Sequence, residues 1–557
     1  MERRGSDNAR RLDWLVIVGI CAITFGAGVG STALWEPDEP RFAEATRQML
    51  LRRDILTPWF NEAPRFEKPI LLYWLQLPFF ASVGATETAA RAPSVLAGLA
   101  AVLAVFGLGR DLASRRAGVL AAVVLATTFR FVLYARQGLT DVPVTAAITL
   151  ALWAMSRAVI GQAGPLAARS AWALVGAAIL LKGPVGFLAP LIWTLWALLA
   201  GGRDAVRRTR PFSGMLIAAL VAGPWYAAML IRHGQGFVDV ALGYEIMARY
   251  LSPEFPGRDR GFLYFWGVWL GDGAPWSLFL APSFWWAYAY GGRMVAREPR
   301  AMQLAGIWFV TVLLVFSVSQ YKLPHYILPA YPAMALAVGI FGNAAAEFRV
   351  PTLLWRVPAY LSALALAACA ALLWPLLTRV FGLAPPDPAF LLPAVVAGAA
   401  VLIAWVASPR VGMHPLPTFG VLVATLVVTF GLLGSFVAPR ELRKMQPVPA
   451  LAAAARRVVA PDEPFAVAGN YGAPGLVFYS RHPVRQLTDR ADLIAFLSAS
   501  GRRHCVMPES ELRAVTPLLD RRLYVQAQAS VFSVRMKRLL ENEPERAGRV
   551  LVLVTAE

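Results

Sequence analysis

The sequence predicts an all-α polytopic membrane domain of about thirteen transmembrane helices, with amphipathic helices in an outer loop, followed by a small α/β domain. Three observations predict it. The 557 residues are 57% hydrophobic and only 16% charged, a composition that needs the bilayer as solvent. Apolar runs alternate with short arginine-rich connections. Near Arg440 the pattern then gives way to short alternating strands and helices.

A span needs about 20 apolar residues. Such runs lie near 14–33, 87–108, 117–135, 142–160, 168–181, 185–200, 212–231, 263–289, 302–318, 326–343, 357–377, 389–407 and 418–437. The first follows Arg3, Arg4, Arg10 and Arg11 without a convincing cleavage site, and reads as a retained anchor. With the N-terminus inside, the connections Arg110–Arg116, Arg157–Arg169, Arg203–Arg210, Arg293–Arg300, Arg349–Arg356 and the one holding Arg410 are all cytoplasmic, as the positive-inside rule requires. That placement accounts for much of the net charge of +19 and makes nucleic acid a poor partner. Cys21, Cys369 and Cys505 are too scattered for a disulfide framework or a cysteine metal site. An odd number of spans exports the C-terminus, so residues 1–439 form the membrane domain and 440–557 an outer soluble domain.

Two outer loops are long, about 35–86 and 232–261. In the first, Asp38-Glu39-Pro40 opens a segment whose Phe42, Ala45, Met49 and Leu50 share one stripe, which predicts an amphipathic helix with proline in its first turn. PILLYWLQLPFF, from Pro69, predicts a helix lying at the interface.

Ionisable side chains are expensive in a bilayer and mark function, and here they gather at the outer ends of the spans. Asp38 and Asp141 are the candidate catalytic carboxylates, although each stands where it could instead cap a helix. The membrane region holds only three lysines, Lys68, Lys182 and Lys322, all at the outer side, and a compact ammonium suits a phosphate. Arg41, Arg260 and Tyr326 complete the candidate substrate- and phosphate-binding set. Glu67 and His325 are candidate ligands for a divalent metal, without any supporting spacing motif. Nothing in the sequence requires a cofactor.

WEPDEPRFAEATRQML with PRFEKPILLYW, then GLTDVPVTAAITLALW, LLKGPVG and SQYKLPHYILPAYP, resemble the lipid A aminoarabinose transferases, membrane glycosyltransferases related to protein mannosyltransferases. The resemblance spans about residues 35 to 335. It implies transfer of 4-amino-4-deoxy-L-arabinose from undecaprenyl phosphate to a lipid A phosphate at the periplasmic face of a bacterial inner membrane, giving resistance to polymyxin and other cationic peptides. It places Asp38 at the family's first-loop acidic position, Glu67 and Lys68 on its glutamate-lysine pair and Asp141 at its second acidic position. Lys182, Lys322, His325 and Tyr326 fall on matching segments. The segment GRDRGFLYFW lacks a histidine common in related mannosyltransferases. The alternatives are a protein O-mannosyltransferase or another polyprenyl-phosphate-sugar transferase, and, outside enzymes, a secondary transporter. A transporter would place its site near the midplane between inverted repeats, which this sequence does not display.

Overall fold

The computed structural model describes residues 2–241, 243, 260–295, 297–380, 383–385, 387–408, 414–469, 472–531 and 549–557. The helices in chain order are α1 (Glu2–Cys21), α2 (Asp38–Arg52), α3 (Leu71–Val83), α4 (Glu87–Leu112), α5 (Arg115–Ala126), α6 (Phe129–Ala135), α7 (Asp141–Val159), α8 (Pro165–Lys182), α9 (Leu188–Arg208) and α10 (Pro211–Val238). After the second long loop come α11 (Tyr264–Asp272), α12 (Ser277–Ala289), α13 (Glu298–Val318), α14 (Tyr331–Ala346), α15 (Thr352–Pro375), α16 (Leu391–Val406) and α17 (Leu416–Leu432). That loop starts as a continuation of α10, and its residues 242 and 244–259 lie outside the described ones.

Among the described residues nine helices are long and apolar enough to cross a membrane, or ten if one bent pair is a single span. The multi-pass expectation is borne out at this level, and the differences from thirteen have local causes. The run 117–135 is the bent pair, α5 and α6 meeting at 67°. Residues 165–208 count once, although Lys182 (φ −149°, ψ 33°) and Gly183 (φ 56°, ψ −129°) leave helical geometry between α8 and α9. The run 263–289 is divided between α11 and α12, and α1 carries a polar N-terminal half.

Small residues let the helices approach closely, the packing mode that serves where lipid removes the hydrophobic drive between helices. A Cβ on Gly118 of α5 would meet the Phe106 carbonyl oxygen of α4 at 2.6 Å, and one on Gly339 of α14 would meet the Ala121 nitrogen at 2.5 Å.

In the first loop, α2 buries Phe42, Ala45 and Met49 as its stripe predicts, while Leu50 stays exposed. A short hairpin follows, β1 (Trp59–Phe60) with β2 (Ala63–Pro64), turning through Asn61 and Glu62 at φ 50° and 68°. After α18 (Val448–Val458) a five-stranded sheet is built from β3 (Phe465–Ala468), β4 (Arg485–Leu487), β5 (Arg503–Pro508), β6 (Leu523–Val531) and β7 (Arg549–Ala556), in the order β4-β3-β5-β7-β6. The first three pair in parallel, through the crossover helices α19 (Ala473–Ser480) and α20 (Arg490–Ser498), and the last two are antiparallel. FAVA is buried on both faces, as a central parallel strand requires.

Candidate active site

The N-termini of α2 and α7, the C-terminus of α8 and the segment before α14 meet at one end of the helical bundle. Asp141 opens α7 and is 6% exposed. It does not cap the helix. Its Oδ1 accepts from Lys182 Nζ at 2.5 Å and lies 3.8 Å from His325 Nε2. The break at Lys182-Gly183 is what ends α8 beside it, so that the lysine stem emerges at the depth of the carboxylate.

Lys182 also sits over the Tyr326 ring, 5.1 Å from its centroid, and Tyr326 packs edge-on against His325. The other ring nitrogen of His325, Nδ1, lies 2.9 Å from Tyr134 Oη. Arg130, one turn before Tyr134, binds Asp272 of α11, its Nε 2.8 Å from Oδ2. Neighbouring polar groups thus lead from Lys182 through Asp141, His325 and Tyr134 to Arg130, which stands 5.8 Å from the Tyr134 ring centroid, and its partner Asp272. Lys322, three residues before His325, is 4% exposed, and its ammonium donates to the Ser319 carbonyl at 2.5 Å.

Asp38 is the first residue of α2, and its side chain caps nothing. It is 53% exposed, 3.9 Å from Arg41, and close enough to act electrostatically on His325 and Tyr134. Lys68 acts on Asp141 in the same way. The residue after Asp38 is buried completely differently. Glu39 is 1% exposed, and its carboxylate takes both Arg91 Nε (2.9 Å) and Nη2 (2.8 Å), the Trp35 amide (2.8 Å) and the Gly138 amide (2.6 Å). Arg91 spends its remaining donors on the carbonyls of Val29, Thr32 and Ala33. This saturated pair ties the segment ahead of Asp38 to the Gly138-Leu139-Thr140 turn ahead of Asp141, and so fixes the two candidate carboxylates relative to each other.

The remaining expected residues fall less centrally. Arg260 is exposed and stands over Tyr264, 4.5 Å from the ring centroid. Glu67 lies 3.3 Å from Arg65 Nε, whereas the nitrogens of His325 face Tyr134 and Asp141. Among the described residues no group of three or more His, Cys, Asp or Glu could hold a metal ion, so Glu67 and His325 find no ligand set here. Sequence reasoning missed Tyr134, Arg130 and Arg91. Each arginine stands in an apolar run, and an ionisable group there was the available signal.

Residues 67–227 match the family model described as dolichyl-phosphate-mannose-protein mannosyltransferase. The chain is 29% identical over 435 residues to the undecaprenyl phosphate-alpha-4-amino-4-deoxy-L-arabinose arabinosyl transferase of Pectobacterium carotovorum subsp. carotovorum, covering 76% of this chain and 75% of that one. The crystal structure of ArnT from Cupriavidus metallidurans bound to undecaprenyl phosphate superposes with a TM-score of 0.76 at 21% identity, over 97% of this chain and 98% of the other. The chain has that transferase fold. The resemblance read from the first-loop, GLTD and SQYKLPHY motifs is borne out. More distantly, the archaeal oligosaccharyltransferase AglB from Archaeoglobus fulgidus, in complex with an inhibitory peptide and a dolichol-phosphate, shares the fold with a TM-score of 0.52 at 13% identity, over 90% of this chain and 70% of that one.

Proposed function

We propose that this chain is a membrane glycosyltransferase that moves 4-amino-4-deoxy-L-arabinose from undecaprenyl phosphate to a lipid A phosphate, at the periplasmic side of a bacterial inner membrane. The observation that carries the reading is the Asp141 carboxylate held between Lys182 and His325, with Asp38 and Lys68 in electrostatic reach, at one end of a multi-span bundle. The relatives named above supply the sugar and its carrier. Periplasmic placement of that end, thirteen spans and an exported domain over 440–557 belong to the same proposal and rest on the arginine-rich connections.

A lipid A phosphate arrives already anionic, so the carboxylates need not remove a proton from it. Asp38 and Asp141 orient the nucleophile or hold the aminosugar's ammonium. One phosphate oxygen of the acceptor forms a bond to the anomeric carbon as the bond from that carbon to the donor phosphate breaks. The electron pair leaves with undecaprenyl phosphate, and direct displacement inverts the anomeric centre. Lys68, Lys182, Arg41 and Arg260 neutralise the donor and acceptor phosphates, Lys322 supplies a further ammonium from the wall, and Tyr326 holds Lys182 in place. Donor and acceptor are both membrane lipids, which suits a site at the end of the spans. In a cell this modification lowers the surface negative charge and with it sensitivity to polymyxin.

The test is mass spectrometry of lipid A from a strain lacking its own aminoarabinose transferase, complemented with this chain or with Asp38→Ala at matched expression. An aminoarabinose increment with the intact chain, lost in the variant, is the expected result. No increment with donor lipid present would redirect the reading to another acceptor, such as a protein hydroxyl.

A further inference from the structure

Residues 29–38 form a strap that ends at Asp38, and two different parts of the molecule grip it. Arg91 of α4 holds the Val29, Thr32 and Ala33 carbonyls from the bundle side. On the other side the C-terminal segment takes over. Gln446 pairs with both backbone groups of Ala33, accepting from its N–H at 2.9 Å and donating to its carbonyl at 3.0 Å. Tyr479 of α19 accepts the Leu34 amide at 2.8 Å and donates to Glu87 at the start of α4 at 2.9 Å. Glu36 accepts the Gly475 amide at 2.7 Å. Three of four strap positions, 33, 34 and 36, therefore hydrogen-bond to residues more than four hundred positions away, just before the candidate catalytic aspartate.

The grip is packed as well as hydrogen-bonded. Phe478 joins Leu34, Ala43 and Phe80 in one buried cluster, and the hairpin tip is fixed where Asn61 exchanges two 2.9 Å hydrogen bonds with the backbone of Val484. The glutamate reaches right up to the helix backbone. A Cβ on Gly475 would come 2.1 Å from Glu36 Oε1.

We infer that the C-terminal α/β segment is a positioning element for Asp38, acting through Gln446, Tyr479 and the Gly475 amide on strap residues 33–36. None of these groups belongs to the candidate site. They fix the backbone that delivers the carboxylate, which is the kind of support a reaction by approximation depends on. The inference rests on the reaction proposed above for its activity readout.

The experiment uses the full chain in lipid nanodiscs, with Tyr479→Phe, Gln446→Ala and Gly475→Ala. Hydrogen exchange is followed by mass spectrometry, and transfer is assayed with aminoarabinose-phosphoundecaprenol and lipid A. Exchange across residues 30–40 should rise in each variant while α7 and α8 keep their protection. Turnover should fall about tenfold in Tyr479→Phe with the donor KM within about twofold, since positioning is lost and donor contacts are not. Combined with Asp38→Asn, Tyr479→Phe should cost almost nothing further, because both act through one carboxylate. Full turnover in variants whose strap exchange has risen, or additive losses in the double variant, would overturn the inference. Unchanged strap exchange in all three variants would overturn it too. If the intact chain transfers nothing, the proposed reaction fails while the exchange data still decide whether the strap is clamped.

Discussion

Two buried ion pairs do different jobs. Asp141–Lys182 is open on one side to His325 and Tyr326, which in the proposed reaction makes it an electrostatic element of the candidate site. Lys182→Ala should strand the carboxylate and lower kcat about a hundredfold, with Lys182→Arg recovering only part, because a planar fork does not replace a compact ammonium. Tyr134→Phe removes the oxygen beside His325 Nδ1 and should cost about tenfold in kcat, without a large change in donor KM. Glu39–Arg91, by contrast, is closed on every side and structural. Arg91→Ala strips the Glu39 carboxylate of its counter-ion and two donors, leaving it only the Trp35 and Gly138 amides, also removes the arginine from the Val29 and Thr32 carbonyls, and should destabilise by about 3–5 kcal/mol. Thermal unfolding in detergent checks this, and an unchanged midpoint would show that the pair is dispensable.

Helix contacts in this bundle rest on missing side chains as much as on present ones. At the α4–α5 crossing even a methyl at Gly118 must push back the Phe106 carbonyl, a backbone atom that cannot swing away. Gly118→Ala should therefore lower stability by about 1–3 kcal/mol, whereas Gly223→Ala in α10, where nothing lies within 4 Å, should be neutral or stabilising. Parallel melting curves in one detergent compare the two directly. The helix break at Lys182-Gly183 belongs to this scale too: Gly183 stands at φ 56°, which a Cβ disfavours, so Gly183→Val should reorient Lys182 and depress activity.

At the scale of the molecule, docking of the C-terminal segment onto the first loop carries a built-in pH dependence. Burial pushes the Glu36 carboxyl up to about 7, against its usual value near 4.5, the Gly475 amide and Arg41 pulling the other way and Asp38 adding to the rise. The docked state therefore holds a proton that the undocked state releases. Docking is strongest below the usual carboxyl range, weakens as pH rises through about 7, and levels off above it. Exchange at residues 33–36 and 472–480, corrected for intrinsic rates, should accordingly increase between pH 5 and pH 8. Glu36→Gln keeps the acceptor oxygen and should flatten that dependence. A slope that persists in the variant would assign it to another group.

The sequence by itself determined the class of the molecule, the amphipathic α2 and the late switch to strands and helices, and it nominated most of the residues that meet in the candidate site. Bilayer solvation makes each of these a local matter of hydropathy, and the cost of charge in lipid leaves Asp141, Lys182, Lys322 and His325 conspicuous. Choosing between capping and chemistry was beyond it. Asp38 and Asp141 both stand at helix N-termini, and only the folded chain shows that neither caps and that Asp141 meets a lysine 41 residues away. Tertiary structure alone also decided the broken spans, the partner of Glu67, and the contacts joining residues 33–36 to 446–479. Such pairings depend on where distant helix ends arrive, and periodicity along a chain carries no information about that.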